Sequence, residues 1–128
     1  MKAERTRGLP HIVLDWDGHL GELSKSFRPL SEETNGWRIV IDRWYLELQN
    51  HRAMIPVMVV EEGCMQNFYT ILSKNDKEKT LTLRLDPYTD PVKTRGVKRS
   101  LALLAENLFG WDSSIQLNKH NLEDFLRL

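Results

Sequence analysis

The sequence predicts an α+β fold, in which an antiparallel sheet of about five strands is followed by a long helix and a short C-terminal helix. Three observations support this class. The run 54–60 is the most apolar in the chain and is too short to span a membrane. Apolar residues alternate in several segments before residue 86, as they do in strands. After residue 90 they recur at three- and four-residue spacing, as they do on the buried face of a helix.

The apolar run Met54–Val60 is interpreted as the central strand of the sheet. Its β-branched residues favour a strand over a helix. Because apolar and polar residues do not alternate along it, we expect both of its faces to be covered by other parts of the chain.

The other predicted strands are short and separated by turn signals. The pair Asn35-Gly36 is typical of a tight hairpin turn. In the last strand Leu81, Leu83 and Leu85 alternate with polar residues, which is the pattern of a sheet with one solvated face. The predicted strands cover residues 11–16, 37–41, 44–48, 67–73 and 80–85, in addition to the central one.

The long helix is expected to begin at Asp90-Pro91, with Asp90 as N-cap and Pro91 at the first helical position. Gly110 is expected to end it. A short C-terminal helix is expected to begin near Asn118 or Asn121. The apolar residues expected to pack on the sheet are Val97, Leu101, Leu104, Ala105 and Leu108 from the long helix, and Leu122, Phe125 and Leu126 from the short one.

Length and composition indicate one domain, at residues 11–128, preceded by a mobile N-terminal arm at residues 1–10. The 18 basic and 18 acidic residues balance, so no overall charge attracts nucleic acid or anionic lipid. The single cysteine, Cys64, excludes an internal disulfide and favours a cytoplasmic location. No targeting or membrane-spanning segment is expected.

Asp15 and Asp17 form the first candidate site, at the end of the first predicted strand. Two carboxylates there could hold Mg²⁺ beside a phosphate. One of them could instead act as a nucleophile while the other transfers protons. The structural alternative is that Asp17-Gly18 simply forms a turn.

Residues 12–20 resemble the first motif of the haloacid-dehalogenase superfamily of phosphohydrolases, which is a strand followed by Asp-x-Asp-Gly-Thr. The resemblance implies that Asp15 is the nucleophile, that Asp17 is the general acid/base and that Mg²⁺ is the cofactor. His19 stands where the family has Thr. The segment 86–90 would have to supply the second acidic motif, and that family's parallel sheet requires strands that alternate with helices.

Four bases at the start of the long helix form the second candidate site. Positive side chains are unfavourable where the helix dipole is already positive, which suggests that the site binds an anion such as a nucleic-acid phosphate. A solvated helix face is the alternative. The four residues are Lys93, Arg95, Lys98 and Arg99.

The function that these observations favour is a non-enzymatic binding or regulatory domain, without a cofactor, that contacts a protein or nucleic-acid partner through the basic helix start. One alternative is a Mg²⁺-dependent phosphohydrolase that uses Asp15 and Asp17. Another is a structural homodimer or complex subunit, because aromatic residues lie on predicted strands.

Overall fold

A computed structural model describes residues 9–127. The predicted mobile arm therefore lies almost entirely outside the described residues. The described chain forms eight strands and two helices: β1 (His11–Asp15), α1 (Leu20–Ser24), β2 (Leu30–Glu33), β3 (Arg38–Ile41), β4 (Tyr45–Leu46), β5 (Arg52–Glu61), β6 (Cys64–Asn75), β7 (Thr80–Leu85), α2 (Arg95–Trp111) and β8 (Gln116–His120).

All eight strands belong to one antiparallel sheet in the order β2-β3-β5-β6-β7-β1-β8, with β4 paired to β5 beyond the end of β3. The α+β class and the antiparallel sheet are confirmed, but the expected number of about five strands is too low. The long hairpin of β5 and β6 is the largest pairing, with ten residue pairs from Arg52–Ser73 to Glu61–Cys64. The first strand, β1, lies inside the sheet between β7 and β8.

Helix α2 packs on one face of the sheet, and its predicted apolar face is fully buried there. Its ends differ from the prediction. The helix begins at Arg95, and the side chain of Thr94 accepts a hydrogen bond from the Val97 backbone N–H at 3.3 Å as N-cap. It continues through Gly110 to Trp111. The Asp90-Pro91 signal therefore belongs to the loop that precedes the helix.

The C-terminal segment begins as a strand and ends in one helical turn. Residues 116–120 form the edge strand β8, which the sequence does not predict. One helical turn follows, in which the N–H groups of Phe125 and Leu126 donate to the Leu122 carbonyl at 2.9 and 3.0 Å. Leu122 and Phe125 are buried as expected. No helix within residues 9–127 is long and apolar enough to cross a membrane.

The core covers only one face of β5, so the expectation of two covered faces is wrong. Alternate residues of the strand are buried under α2, and those between them are half-buried on the opposite face, which we call the outer face. The buried residues are Ala53, Ile55, Val57 and Val59, and the half-buried ones are Met54, Pro56, Met58 and Val60.

Candidate functional site

The first candidate pair lies at the exposed end of β1. Asp15 is exposed, and its carboxylate accepts a hydrogen bond from the Asn118 amide at 2.9 Å. Asp17 is also exposed, and one of its oxygens lies 3.9 Å from the Lys79 ammonium. Both carboxylates therefore face solvent and surface polar groups rather than a cleft.

Trp16 lies between these two carboxylates and explains the local sequence. Its ring is buried, and its indole N–H donates to the Asp112 carboxylate at 3.0 Å. A Cβ atom on Gly18 would lie 2.3 Å from the Trp16 ring, so only glycine fits beneath it. The Asp-x-Asp-Gly pattern is therefore explained by packing. Its second residue is a buried tryptophan, and its glycine leaves room for the tryptophan ring.

The second acidic segment, at residues 86–90, lies at the other end of β1. The antiparallel register pairs His11 with Arg84 and Asp15 with Thr80, so Asp86 lies beyond the His11 end. Within residues 9–127 no three His, Cys, Asp or Glu side chains are grouped so that they could hold a metal ion. The residues around Asp15 and Asp17 therefore do not fit a Mg²⁺ site made with that segment.

The structure does not keep the four candidate bases together at the surface. Arg99 is only 3% exposed. Its guanidinium donates to both carboxylate oxygens of Glu32 (3.0 and 2.8 Å), to both of Glu106 (2.6 and 3.0 Å) and to the Phe125 carbonyl (2.7 Å). We call these four residues the Arg99 cluster. It joins the edge strand β2, helix α2 and the C-terminal turn.

Hydrogen bonding and charge within the Arg99 cluster favour the ionised forms of Glu32 and Arg99. The hydrogen bond from Arg99 holds the pKa of the Glu32 carboxyl below its ordinary value, with a smaller contribution from the Trp37 indole. Burial alone would lower the pKa of Arg99, but its hydrogen bonds to Glu32 and Glu106 raise it overall. The cluster is therefore a set of paired charges, and none of its donors is turned toward solvent.

The other three bases lie around the start of α2. Lys93 pairs with Asp90, and the Arg95 guanidinium lies 5.1 Å from the centre of the Phe125 ring. Lys98 is half-buried. Two of the three bases thus already contact other parts of the chain.

The N-terminus of α2 already holds a carboxylate from within the chain. Glu61, at the end of β5, accepts hydrogen bonds from the Thr94 hydroxyl and, at 2.8 Å, from the Gly96 backbone N–H. A carboxylate at this position is favoured by the helix dipole and by the free N–H groups of the first turn. Glu61 therefore occupies the position that an anionic ligand would take.

The outer face of the sheet is mainly apolar, although it faces away from the core. Across β3, β5 and β6 the side chains on this face are mainly apolar, and they lie side by side because paired residues point to the same side. The apolar ones are Val40, Met54, Pro56, Met58, Val60, Met65, Tyr69 and Ile71, and the polar Asn67 lies among them as the partner of Met58. Within the described chain no helix packs against them.

Arginines border this apolar strip. Arg38 is paired with Val60, Arg52 lies two residues before Met54 in β5, and Arg84 is paired with Ile71. The non-alternating run 54–60 is the sequence signal for this surface. It predicts a second covering layer, whereas in the structure the outer side chains of β5 remain partly exposed.

Comparisons with protein-family models, with curated proteins and with solved structures found no match to this chain.

Proposed function

We propose that this chain is a non-enzymatic protein-binding domain that docks a separate protein on the outer face of its sheet. The observation that carries the proposal is the composition of β5, which is apolar at every position from Met54 to Val60 although the core covers only one of its faces. In a strand with one solvated face, polar residues normally alternate with apolar ones, as they do in β7 of this same sheet.

The side chains of the outer face support a protein as the partner. Contiguous apolar patches bordered by polar residues mark interaction sites. Methionine, tyrosine and arginine are enriched in protein interfaces, and flexible methionines adapt to the surface that they meet. Three methionines and two tyrosines lie on this face: Met54, Met58, Met65, Tyr45 and Tyr69.

Other functions have less support from the geometry. For phosphate-ester hydrolysis, the described part of the chain brings no second acidic segment beside Asp15 and Asp17. Nucleic-acid binding at the helix start would have to proceed without Arg99, which is buried, and beside the Glu61 carboxylate.

Sedimentation velocity tests whether the outer face binds a different protein or a second copy of this chain. We expect the purified protein to sediment as a monomer of 15.0 kDa at micromolar concentration. A dimer that dissociates when Met58 is replaced by Glu would assign the outer face to self-association and would overturn the proposal of a separate partner.

Site-specific photo-crosslinking tests the surface itself. A photoreactive residue is placed at Met58 on the outer face and, as the control, at Glu78 in the exposed β6–β7 turn. In cells that express the chain we expect one protein to be linked at position 58 and not at position 78. That protein, once purified, should bind the wild type and lose binding to Met58→Glu. Equal linking at both positions, or unchanged binding of the variant, would contradict the proposal.

A further inference from the structure

A pocket with a polar wall lies on the outer face, at the level where β4 joins β5. Its volume is about 490 Å³. Tyr45, Met54, Ile71 and Arg84 lie in one row across four strands, since each is the direct cross-strand partner of the next. Arg52 and Tyr88 also line the pocket. We call this the Arg84 pocket.

The floor of the Arg84 pocket is apolar. Met54 is half-buried and Ile71 is 4% exposed, so together they form a continuous base between β5 and β6. Tyr45 and Tyr88 stand beside it with 49% and 96% of their surfaces exposed. Burying two such rings at an interface would remove a large apolar area from water.

Two arginines and two carboxylates line the pocket, and the Arg84 guanidinium forms no direct ion pair within the described chain. Arg52 lies 3.8 Å from the Glu47 carboxylate, and the buried Asp86 accepts a hydrogen bond from the Tyr88 backbone N–H at 3.2 Å. Arg84 is exposed and has no carboxylate within 4 Å among residues 9–127. A ligand that matches this pocket supplies a carboxylate beside an apolar group.

We infer that the Arg84 pocket receives a partner segment in which an aromatic or large aliphatic side chain is adjacent to Asp or Glu. The apolar side chain lies on Met54 and Ile71, and the carboxylate pairs with the Arg84 guanidinium, whose planar set of donors matches two carboxylate oxygens. This inference rests on the proposed function, because it names the chemistry of the partner that the outer face binds.

A displayed library of random twelve-residue peptides, selected on the purified protein, tests this chemistry. We expect the selected peptides to share an acidic residue next to a large apolar one. A synthetic consensus peptide should bind Arg84→Gln at least about tenfold more weakly than wild type, because the carboxylate loses its charged partner. Lys119→Gln, which removes another exposed base from the sheet, is the control and should leave the affinity within about twofold.

A double-mutant cycle makes the assignment specific. Replacing the acidic residue of the peptide with its amide should weaken binding to wild type but not to Arg84→Gln. Selection that yields no shared acidic residue, or a peptide that binds Arg84→Gln as well as wild type, would overturn the inference.

Backbone amide shifts measured during the same titration separate this inference from the proposed function. If a peptide shifts the amides of β5 and β6 but binds equally well without its carboxylate, the docking surface is supported and only the role of Arg84 is contradicted. Shifts confined to other parts of the protein would contradict both the docking surface and the role of Arg84.

Discussion

Arg99 shows how one residue can connect three distant parts of the chain. Its partners are Glu32 in β2, Glu106 two turns further along α2 and the carbonyl of Phe125 in the C-terminal turn. Arginine suits this position because it presents five donors in a fixed plane and remains charged when buried. The backbone N–H of Arg127 also donates to Glu106, at 2.6 Å, so the C-terminal turn is held at two points.

Arg99→Ala should lower the free energy of unfolding by about 3–5 kcal/mol, because two half-buried carboxylates would lose their common counter-charge. Urea denaturation measures this loss. Arg99→Met, which keeps an unbranched side chain for packing, should lose a similar amount. Lys98→Ala is the neighbouring control and should change stability by no more than about 0.5 kcal/mol. A loss in Arg99→Met as small as in the control would contradict a role for the charge.

Stability should also depend on pH through Glu32. Its folded-state pKa lies below the ordinary value of 4.5, so the unfolded chain binds a proton more readily than the folded one. The stabilisation is therefore complete above about pH 4.5 and is lost as the pH falls through the folded-state pKa.

Urea denaturation at steps from pH 6 to pH 3 should show a smaller fall in stability for Glu32→Gln than for wild type. Part of the fall should persist in that variant. Hydrogen bonds from the Ser114 hydroxyl and backbone N–H, and from the Trp16 indole, also hold the pKa of Asp112 below its ordinary value. Parallel curves for the two proteins would exclude Glu32 as a contributor.

At the scale of single elements, the start of α2 shows the limit of local signals. Asp90-Pro91 is a strong start signal on local grounds, yet the helix begins five residues after Asp90. Thr94 caps the helix at its actual start, and the Glu61 carboxylate accepts hydrogen bonds from the Thr94 hydroxyl and the Gly96 N–H. Glu61 lies more than thirty residues earlier in the chain, so no window of sequence around the helix contains this contact. The buried face of the helix was predictable because its spacing is local.

Gly96→Ala should destabilise the protein by about 1–3 kcal/mol, because the added methyl would have to displace its neighbours. Its Cβ would lie 2.6 Å from the Glu61 carboxyl carbon and 2.8 Å from a Val59 methyl. Gly110→Ala is the matched control in the same helix. Nothing lies within 4 Å of its Cβ position, so alanine should stabilise the helix by up to about 1 kcal/mol. Changes of the same sign at both positions, measured by thermal and urea unfolding, would contradict the close approach of Glu61.

At the scale of the whole molecule, α2 covers one side of the sheet, and no helix formed by residues 9–127 covers the other. The folded protein should therefore bind an apolar fluorescent dye at neutral pH. The double variant Met54→Ser and Met58→Ser should lose most of this signal, with a change in stability of no more than about 1–2 kcal/mol because both side chains are only half-buried. Leu48→Ser is the control, because Leu48 is 98% exposed on a single turn. A dye signal that survives in the double variant would place the apolar surface elsewhere.

The parts of the molecule that the sequence predicts are those whose burial follows a local period. Leu81 and Leu83 are buried and alternate with polar neighbours, so β7 was predicted with its correct bounds. The edge strand β8 was not predicted, because Gln116–His120 is mostly polar and its pairing with β1 spans about a hundred residues. The burial of Arg99 was not predictable either, because two of its partners, Glu32 and the Phe125 carbonyl, lie 67 and 26 residues away. Run 54–60 indicated the outer face, but sequence alone does not show which of two apolar faces receives the helix.

The position of β1 between β7 and β8 also constrains the order in which the protein folds. The hairpins from β5 to β7 join neighbouring segments and can close early. The partners of β1 lie about 70 and 100 residues further along the chain. Closing loops of this length slows folding, so β1 is expected to pair later than the hairpins. Ile12 and Leu14 are therefore expected to reach their buried positions after the rate-limiting step. Truncating either side chain should accelerate unfolding while refolding keeps nearly its wild-type rate.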